Sequence, residues 1–253
     1  MRPTRRKTLL GMGALATGSG AVFSSAAFQS SVNPAADMRV VVGQEFGNNL
    51  RVRAGNIFRD ASDDFNPATG SNAVKTVHNI NSTSFFSNNE LDNLEVADLP
   101  AAGANNEDND DLRLAIATAV GETATIGNYN TDDFGFIQVE NNTPDDHDIH
   151  IEFDSFGDDV GSASDQVTEN QVRQIYKFYD SGENQISTNI SGSIINSITV
   201  SSGDTEQIYL EVDTETNSLY NAVIGATNIE DSPFTAEQDT VNLVDQIRVG
   251  VTE

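Results

Sequence analysis

The sequence predicts an all-β protein, and three observations support that prediction. Short segments rich in Val, Ile, Phe and Thr recur along the chain, several of them alternate apolar and polar residues, and clusters of Asn, Asp, Gly and Ser separate them. Because side chains alternate between the two faces of a strand, the alternation indicates sheets with one face in a core and one in solvent. About ten such segments at short spacing are typical of an antiparallel β-sandwich of the jelly-roll type.

The predicted strands are short apolar segments, and in chain order they are 37–43, 49–58, 73–80, 112–120, 134–141, 148–156, 172–180, 193–200, 206–214, 221–227 and 240–251. The alternation is strictest in 148–156 and 206–214. Ser202, Gly203 and Asp204 stand between two of the runs and predict a hairpin there.

Helix is expected to be a minor component, limited to a turn within 86–98 or 166–176. Long polar loops dominate residues 60–110. We interpret these loops as insertions rather than as a linker, so that 37–253 forms a single β-sandwich domain.

The N-terminus has the features of an export signal. The positive segment RPTRRK at 2–7 precedes an apolar stretch that is rich in Gly, Ala and Ser and ends in small residues. This order predicts a signal peptide over 1–27, and the arginine pair at 5–6 resembles a twin-arginine signal. An uncleaved anchor is the alternative, since the run approaches the roughly 20 residues that span a bilayer. The glycines favour cleavage.

After cleavage, residues 28–36 are expected to be a flexible, polar lead-in to the domain. The mature protein is expected outside the cell or on its surface, without a stable transmembrane anchor.

The charge of the chain is strongly acidic. The sequence has 39 Asp and Glu against 13 Lys and Arg, for a formal net charge of -26, and four of the basic residues lie in the first seven positions. Repulsion at this charge density weakens near 1 M salt, where the Debye length falls to about 3 Å. We therefore interpret the chain as a salt-adapted folded protein, with a disordered acidic chain as the alternative. The missing basic footprint argues against nucleic acid as a partner.

Sequence motifs that are typical of catalytic sites are missing. The chain has no Cys and no GxSxG, HExxH or phosphate-binding glycine motif. His147 and His150 lie an odd number of positions apart on a predicted strand, so they would point to opposite faces and are not predicted to share a metal. We expect no enzymatic activity and predict no catalytic residue and no required cofactor.

One acidic loop is a candidate calcium site. It contains Glu107, Asp108, Asp110 and Asp111, and calcium takes six or more oxygen ligands. The loop lacks the glycine and the terminal glutamate spacing of an EF-hand, so a solvated acidic loop is the alternative. The loop is the basis of an alternative function, a secreted calcium- or glycan-binding module.

Three asparagines begin an N-x-[ST] sequence without an intervening proline: Asn81, Asn141 and Asn189. Export makes each a candidate glycosylation site. In a chain with so many Asn, Ser and Thr residues, such matches also arise by chance.

The order of several segments resembles a family of haloarchaeal secreted proteins that is distantly similar to the camelysin and TasA-like biofilm-fibre proteins. The segments are the leader ending GSGAVFSSAAF, then ADMRVVV, LRLAIATAVGETATIG, FGFIQVENNTPDDHDIHIEF, QIYKFYD and VSSGDTEQIYLEVDT. The resemblance implies a jelly-roll subunit of the cell surface or of extracellular filaments. In such fibres the N-terminal strand of one subunit completes the sheet of the next.

In this chain the candidate donor strand is 37–43, with Met38, Val40, Val41 and Val42 as the residues that would fill the acceptor groove. Its simpler role is the first strand of its own domain. The leading hypothesis is an exported, halophilic structural protein that self-associates into a filament or surface assembly.

Overall fold

The computed structural model describes residues 35–42, 50–59, 76–79, 100–104, 112–118, 121–127, 134–163, 166–227 and 243–252. All of them belong to one compact unit, Val32–Glu253. The described strands are β1 (Ala35–Val42), β2 (Leu50–Ala54), β3 (Thr76–Asn79), β4 (Ala101–Ala104), β5 (Arg113–Ala117), β6 (Thr123–Ile126), β7 (Ile137–Asn141), β8 (His147–Ser155), β9 (Tyr176–Tyr179), β10 (Ile198–Val200), β11 (Thr205–Asp213) and β12 (Gln246–Val251). The helices are α1 (Glu169–Ile175), α2 (Asn217–Thr227) and a 3-10 turn (Asn56–Phe58).

The strands form two sheets. The larger has seven strands in the order β10-β8-β12-β1-β5-β4-β3, and the smaller contains β2, β7, β11, β6 and β9. In the smaller sheet, β11 pairs with β7 along its first half and with both β6 and β9 along its second half. Most pairs are antiparallel, but β1 runs parallel to β12 and β3 runs parallel to β4.

Both sheets contribute to one apolar core. Val139 and Leu210 from the smaller sheet and Ile151 and Ile247 from the larger are fully buried in the same cluster. Each such side chain contributes roughly 1.5–3 kcal/mol to folding through removal of apolar surface from water. Two mainly antiparallel sheets around a shared core, with few helices, confirm the predicted all-β class.

The segment 221–227 was predicted as a strand, and that prediction is wrong. It forms most of α2, in which Leu219 and Val223 are buried while Tyr220 is exposed. Burial at positions four apart is the pattern of a helix face packed on a core. The β-branched residues of this segment misled the strand prediction, because tertiary packing overrides local propensity.

The predicted hairpin at residues 202–204 is also wrong, although a turn is present. Asp204 N–H donates to the Ser201 carbonyl over 3.0 Å, and Gly203 has a φ of 81°, which glycine adopts without a steric penalty. The flanking strands do not pair with each other, since β10 belongs to the larger sheet and β11 to the smaller. The turn therefore transfers the chain from one sheet to the other.

The helix expected within 166–176 is present as α1, and it shortens the strand expected over 172–180 to β9. A capping box begins α1: the Thr168 hydroxyl accepts from Gln171 N–H, and the Gln171 side chain accepts from Thr168 N–H. This arrangement pairs two amides that a helix start otherwise leaves free. The aromatic segment Tyr176–Tyr179 then continues as a strand.

Candidate assembly site

The candidate donor segment 37–43 lies almost wholly within β1, and β1 occupies the centre of the larger sheet. On one side it pairs in parallel with β12, and on the other it pairs antiparallel with β5. Both of its edges are thus hydrogen bonded within the same chain. This pairing is the simpler of the two roles described for the segment.

The register aligns part of β1 with core residues. Val40 and Val42 are aligned with Ile247 and Val249 of β12, and both of these partners are fully buried. Met38 is likewise aligned with buried Leu114 of β5. These three positions of the predicted assembly set are therefore aligned with core residues of the neighbouring strands.

The fourth predicted position, Val41, is aligned differently. Its partner in register is Arg248, whose side chain is 43% exposed and forms ion pairs with Glu152 and Asp154 of β8. Val41 is thus aligned with an exposed residue, whereas the other three positions are aligned with buried ones.

The position of β1 defines a potential acceptor slot. Without β1, the larger sheet would divide into β10-β8-β12 and β5-β4-β3, and β12 and β5 would each present an unpaired edge. An identical strand from a second copy could form the same main-chain pairs in the same register. The geometry is therefore compatible with strand exchange between copies.

The two histidines of β8 have separate surroundings. His147 Nε2 lies 2.8 Å from the Thr143 hydroxyl, whereas buried His150 contacts Thr252 and Glu152, each at 3.2 Å. In the ranges that the structure describes, no three His, Cys, Asp or Glu side chains are grouped so that they could hold a metal ion. Glu107, Asp108, Asp110 and Asp111 of the candidate calcium loop lie outside those ranges.

A half-buried ionic cluster joins β9 to β11. Lys177 Nζ donates to Glu211 over 2.9 Å and to Asp213 over 3.0 Å. Desolvation lowers the pKa of Lys177, but the hydrogen bonds and charges of both carboxylates outweigh it and hold that pKa above its ordinary value. Desolvation raises the pKa of Asp213. The hydrogen bond from Lys177 is the largest of several contacts that outweigh it, so this pKa lies below its ordinary value. This cluster is a cross-strand stabilising contact.

Asn141, one of the candidate glycosylation sites, is buried and fully hydrogen bonded. Its Nδ2 donates to the carbonyls of Asp145 and Val200, each over 2.9 Å. Its Oδ1 accepts from Thr143 N–H over 2.9 Å. Attachment of a glycan to Nδ2 would require these contacts to open first.

Asn189, another candidate, is partly buried and directly precedes exposed Ile190. Its Oδ1 accepts from the N–H groups of Ser191 and Ser193 over 2.9 and 3.0 Å. Asn81 lies outside the described residues.

A surface that the sequence patterns did not predict lies at the β10 edge of the larger sheet. Residues 184–203 contain no Asp, Glu, Lys, Arg or His, although the chain as a whole is rich in charge. Ile190, Ile194 and Ile195 are exposed within this segment. The sequence could have indicated this surface, because a segment of this length without charged residues is unusual in so acidic a chain.

No helix among the described residues is both long and apolar enough to cross a membrane. No family model, curated protein or solved structure matches this chain.

Proposed function

We propose that the protein is an exported, salt-adapted structural component of the cell envelope or of an extracellular filament. Copies would assemble by strand complementation, in which β1 of one copy occupies the slot between β5 and β12 of the next. The proposal includes jelly-roll connectivity for the two sheets.

The observation that carries the proposal is the central position of the first strand. A strand near the N-terminus can leave its sheet without unthreading the rest of the chain, whereas an internal strand cannot. Residues 28–34 before it contain no charge, so they add no repulsion when β1 approaches an acidic neighbour. The last two residues of the predicted lead-in, Ala35 and Ala36, already belong to β1.

The connection after β1 joins strands of two different sheets. Residues 43–49 join β1 of the larger sheet to β2 of the smaller, and a seven-residue segment spans at most about 25 Å when extended. If that connection extends, β1 is carried away from its own slot. Exchange of an element between copies requires such a change in the connection that joins the element to its domain.

β1 forms the same contacts in its own slot and in the slot of another copy. The protein concentration therefore decides which of the two pairings prevails. Internal pairing benefits from an effective concentration of order mM for a short connection. Filaments are therefore expected at high protein concentration and in high salt, which screens the acidic surfaces.

The test uses cysteine variants, since the natural chain contains no Cys. Arg39 and Arg113 are aligned across β1 and β5, within reach of a disulfide. An Arg39→Cys chain mixed with an Arg113→Cys chain in high salt should give crosslinked dimers after oxidation. The control carries both substitutions in one chain, which reports internal pairing as a crosslinked monomer.

Electron microscopy supplies the second readout. The mature chain in high salt should form filaments, and a chain that lacks residues 28–44 should not. Crosslinked monomers alone, together with no filaments from either chain at the highest soluble concentration, would refute strand exchange.

A further inference from the structure

The charge-free segment 184–203 covers one edge of the larger sheet. Its first part lies against β8, where Ile151 N–H donates to Ile186 and Thr188 N–H donates to Ile151, both over 3.0 Å. Its later part forms β10, which pairs antiparallel with β8. The segment is thus fixed to the sheet at both ends.

The turn between these anchors is closed by its own hydrogen bonds. Gly192 N–H donates to the Asn189 carbonyl and Asn189 N–H donates to the Ser193 carbonyl, both over 2.8 Å. The Asn189 side chain accepts two further amides, as described above. The turn therefore presents its side chains in a defined arrangement.

The exposed side chains of this turn are apolar or uncharged. Ile190, Ile194 and Ile195 are 46%, 42% and 48% exposed. Among the described residues, Tyr220 of α2 is the one other large hydrophobic side chain with comparable exposure. A cluster of exposed isoleucines with Ser, Thr and Asn around it has the composition of an interaction surface. We define residues 190–200 as the neutral patch.

We propose that the neutral patch is a self-association surface and that its occupant is the neutral patch of a second copy. Two chains that each carry 39 acidic residues repel each other over most of their surfaces. Residues 190–200 themselves carry no charge, so contact between two neutral patches desolvates few charged groups. Asp148, which accepts from the Thr199 hydroxyl, and Arg173, near Gly192, lie beside the patch. A two-fold contact uses the same patch on both copies and leaves the acidic faces apart.

The free side of β10 can extend this contact. Within the described part of the chain, β10 pairs only with β8 and forms an edge of the sheet. Two such edges facing each other could add main-chain hydrogen bonds between copies.

This contact is independent of strand exchange through β1, because β1 lies at the centre of the larger sheet and the neutral patch lies at its β10 edge. A chain that never exchanges β1 would still dimerise through the neutral patch. The two proposals can therefore fail separately.

The test is sedimentation equilibrium of the mature chain in about 1 M salt, where the Debye length is about 3 Å. The natural chain should form dimers, and Ile194→Asp should raise the dimer dissociation constant at least about tenfold. Tyr220→Asp is the matched control, since it adds one charge at an exposed hydrophobic position outside the patch, and its dissociation constant should stay near the natural value. Circular dichroism checks that each variant is folded.

A second measurement locates the contact. Ser193→Cys should give a disulfide-linked dimer on oxidation, and Ile194→Asp in the same chain should suppress it. The Arg39→Cys and Arg113→Cys crosslink should be unaffected by Ile194→Asp. A natural chain that stays monomeric would overturn the neutral patch as a self-association surface. The same holds if Tyr220→Asp and Ile194→Asp raise the dimer dissociation constant equally, or if the chain binds vesicles or glycans but forms no dimers.

Discussion

Asn141 connects three segments through one buried amide. It ends β7, its side chain binds the loop carbonyl of Asp145, and it reaches the carbonyl of Val200 at the end of β10. Gly203 N–H donates to the Asn141 carbonyl, so the turn between the two sheets is held by the same residue. A short polar side chain with two donors and two acceptor positions fits this point, and few other residues do.

Substitution Asn141→Asp should destabilise the fold by about 2–4 kcal/mol, because it removes both donors and places a carboxylate against two carbonyl oxygens. Chemical denaturation in high salt measures the change. Asn142→Asp is the control, since this neighbour is exposed, and its effect should stay within about 0.5 kcal/mol. Equal effects of the two variants would contradict the role given to Asn141.

Tyr176 shows the opposite situation, a buried hydroxyl without a partner in the described part of the chain. Burial raises the pKa of this side chain, because the ionised form cannot be solvated. Tyr176→Phe keeps the ring and removes the hydroxyl. Its stability should equal the natural value or exceed it by up to about 1 kcal/mol. A loss of more than about 1 kcal/mol in thermal unfolding would show that the hydroxyl has a stabilising partner.

At the scale of the elements, Lys177 neutralises two carboxylates between β9 and β11. Lys177→Met should cost about 1–2 kcal/mol near neutral pH, because Glu211 and Asp213 would then face each other without a cation. Lys177→Arg retains the charge and serves as the control. Urea unfolding at low and high salt measures both variants, and the loss should be smaller at high salt.

The same cluster predicts a pH dependence. The lowered pKa of Asp213 gives stability that is present above its ordinary value of 3.8 and is lost as the pH falls through the folded-state pKa below it. The raised pKa of Lys177 gives stability that is present below 10.5 and is lost as the pH rises through the folded-state value. The difference between natural chain and Lys177→Met should therefore be constant between those limits and shrink outside them. A difference that peaks or vanishes within them would contradict the cluster.

The strands that the sequence predicts best are those with one face in the core. β8 and β11 alternate strictly, and β1 and β12 are dense in β-branched residues. β4 and β6 were missed, because Ala101–Ala104 and Thr123–Ile126 have little apolar bulk and depend on their neighbours for pairing. The sheet to which a strand belongs is a long-range property, which is why the turn at 202–204 was misread as a hairpin.

The sequence likewise predicted the strand of the candidate assembly site but not the position of that strand in the sheet. The patterns identified β1 as a strand and Met38, Val40 and Val42 as apolar, but its place between β5 and β12 depends on partners far away in sequence. The neutral patch was missed because it is marked by residues that are absent rather than by a motif.

At the scale of the whole molecule, the excess of carboxylates makes stability depend on salt. With 39 acidic and 13 basic residues, dilution lengthens the Debye length from about 3 Å at 1 M salt to about 30 Å at 0.01 M and lets repulsion act across the fold. We expect the protein to unfold on dilution into low salt and to refold when salt is restored. Circular dichroism follows both steps, and a spectrum unchanged at low salt would refute the salt adaptation.

The parallel pairing of β1 with β12 has a consequence for polarity. The first and last of the described strands run in the same direction side by side, so β1 and β12 both begin at one end of the larger sheet and both finish at the other. In the proposed exchange each copy donates β1 to the next, which is a head-to-tail contact, so the two tips of a fibre would differ: one would present a vacant slot and the other a free β1. A copy that adds at the vacant slot would leave a new vacant slot at the same tip, so growth by exchange would be directional.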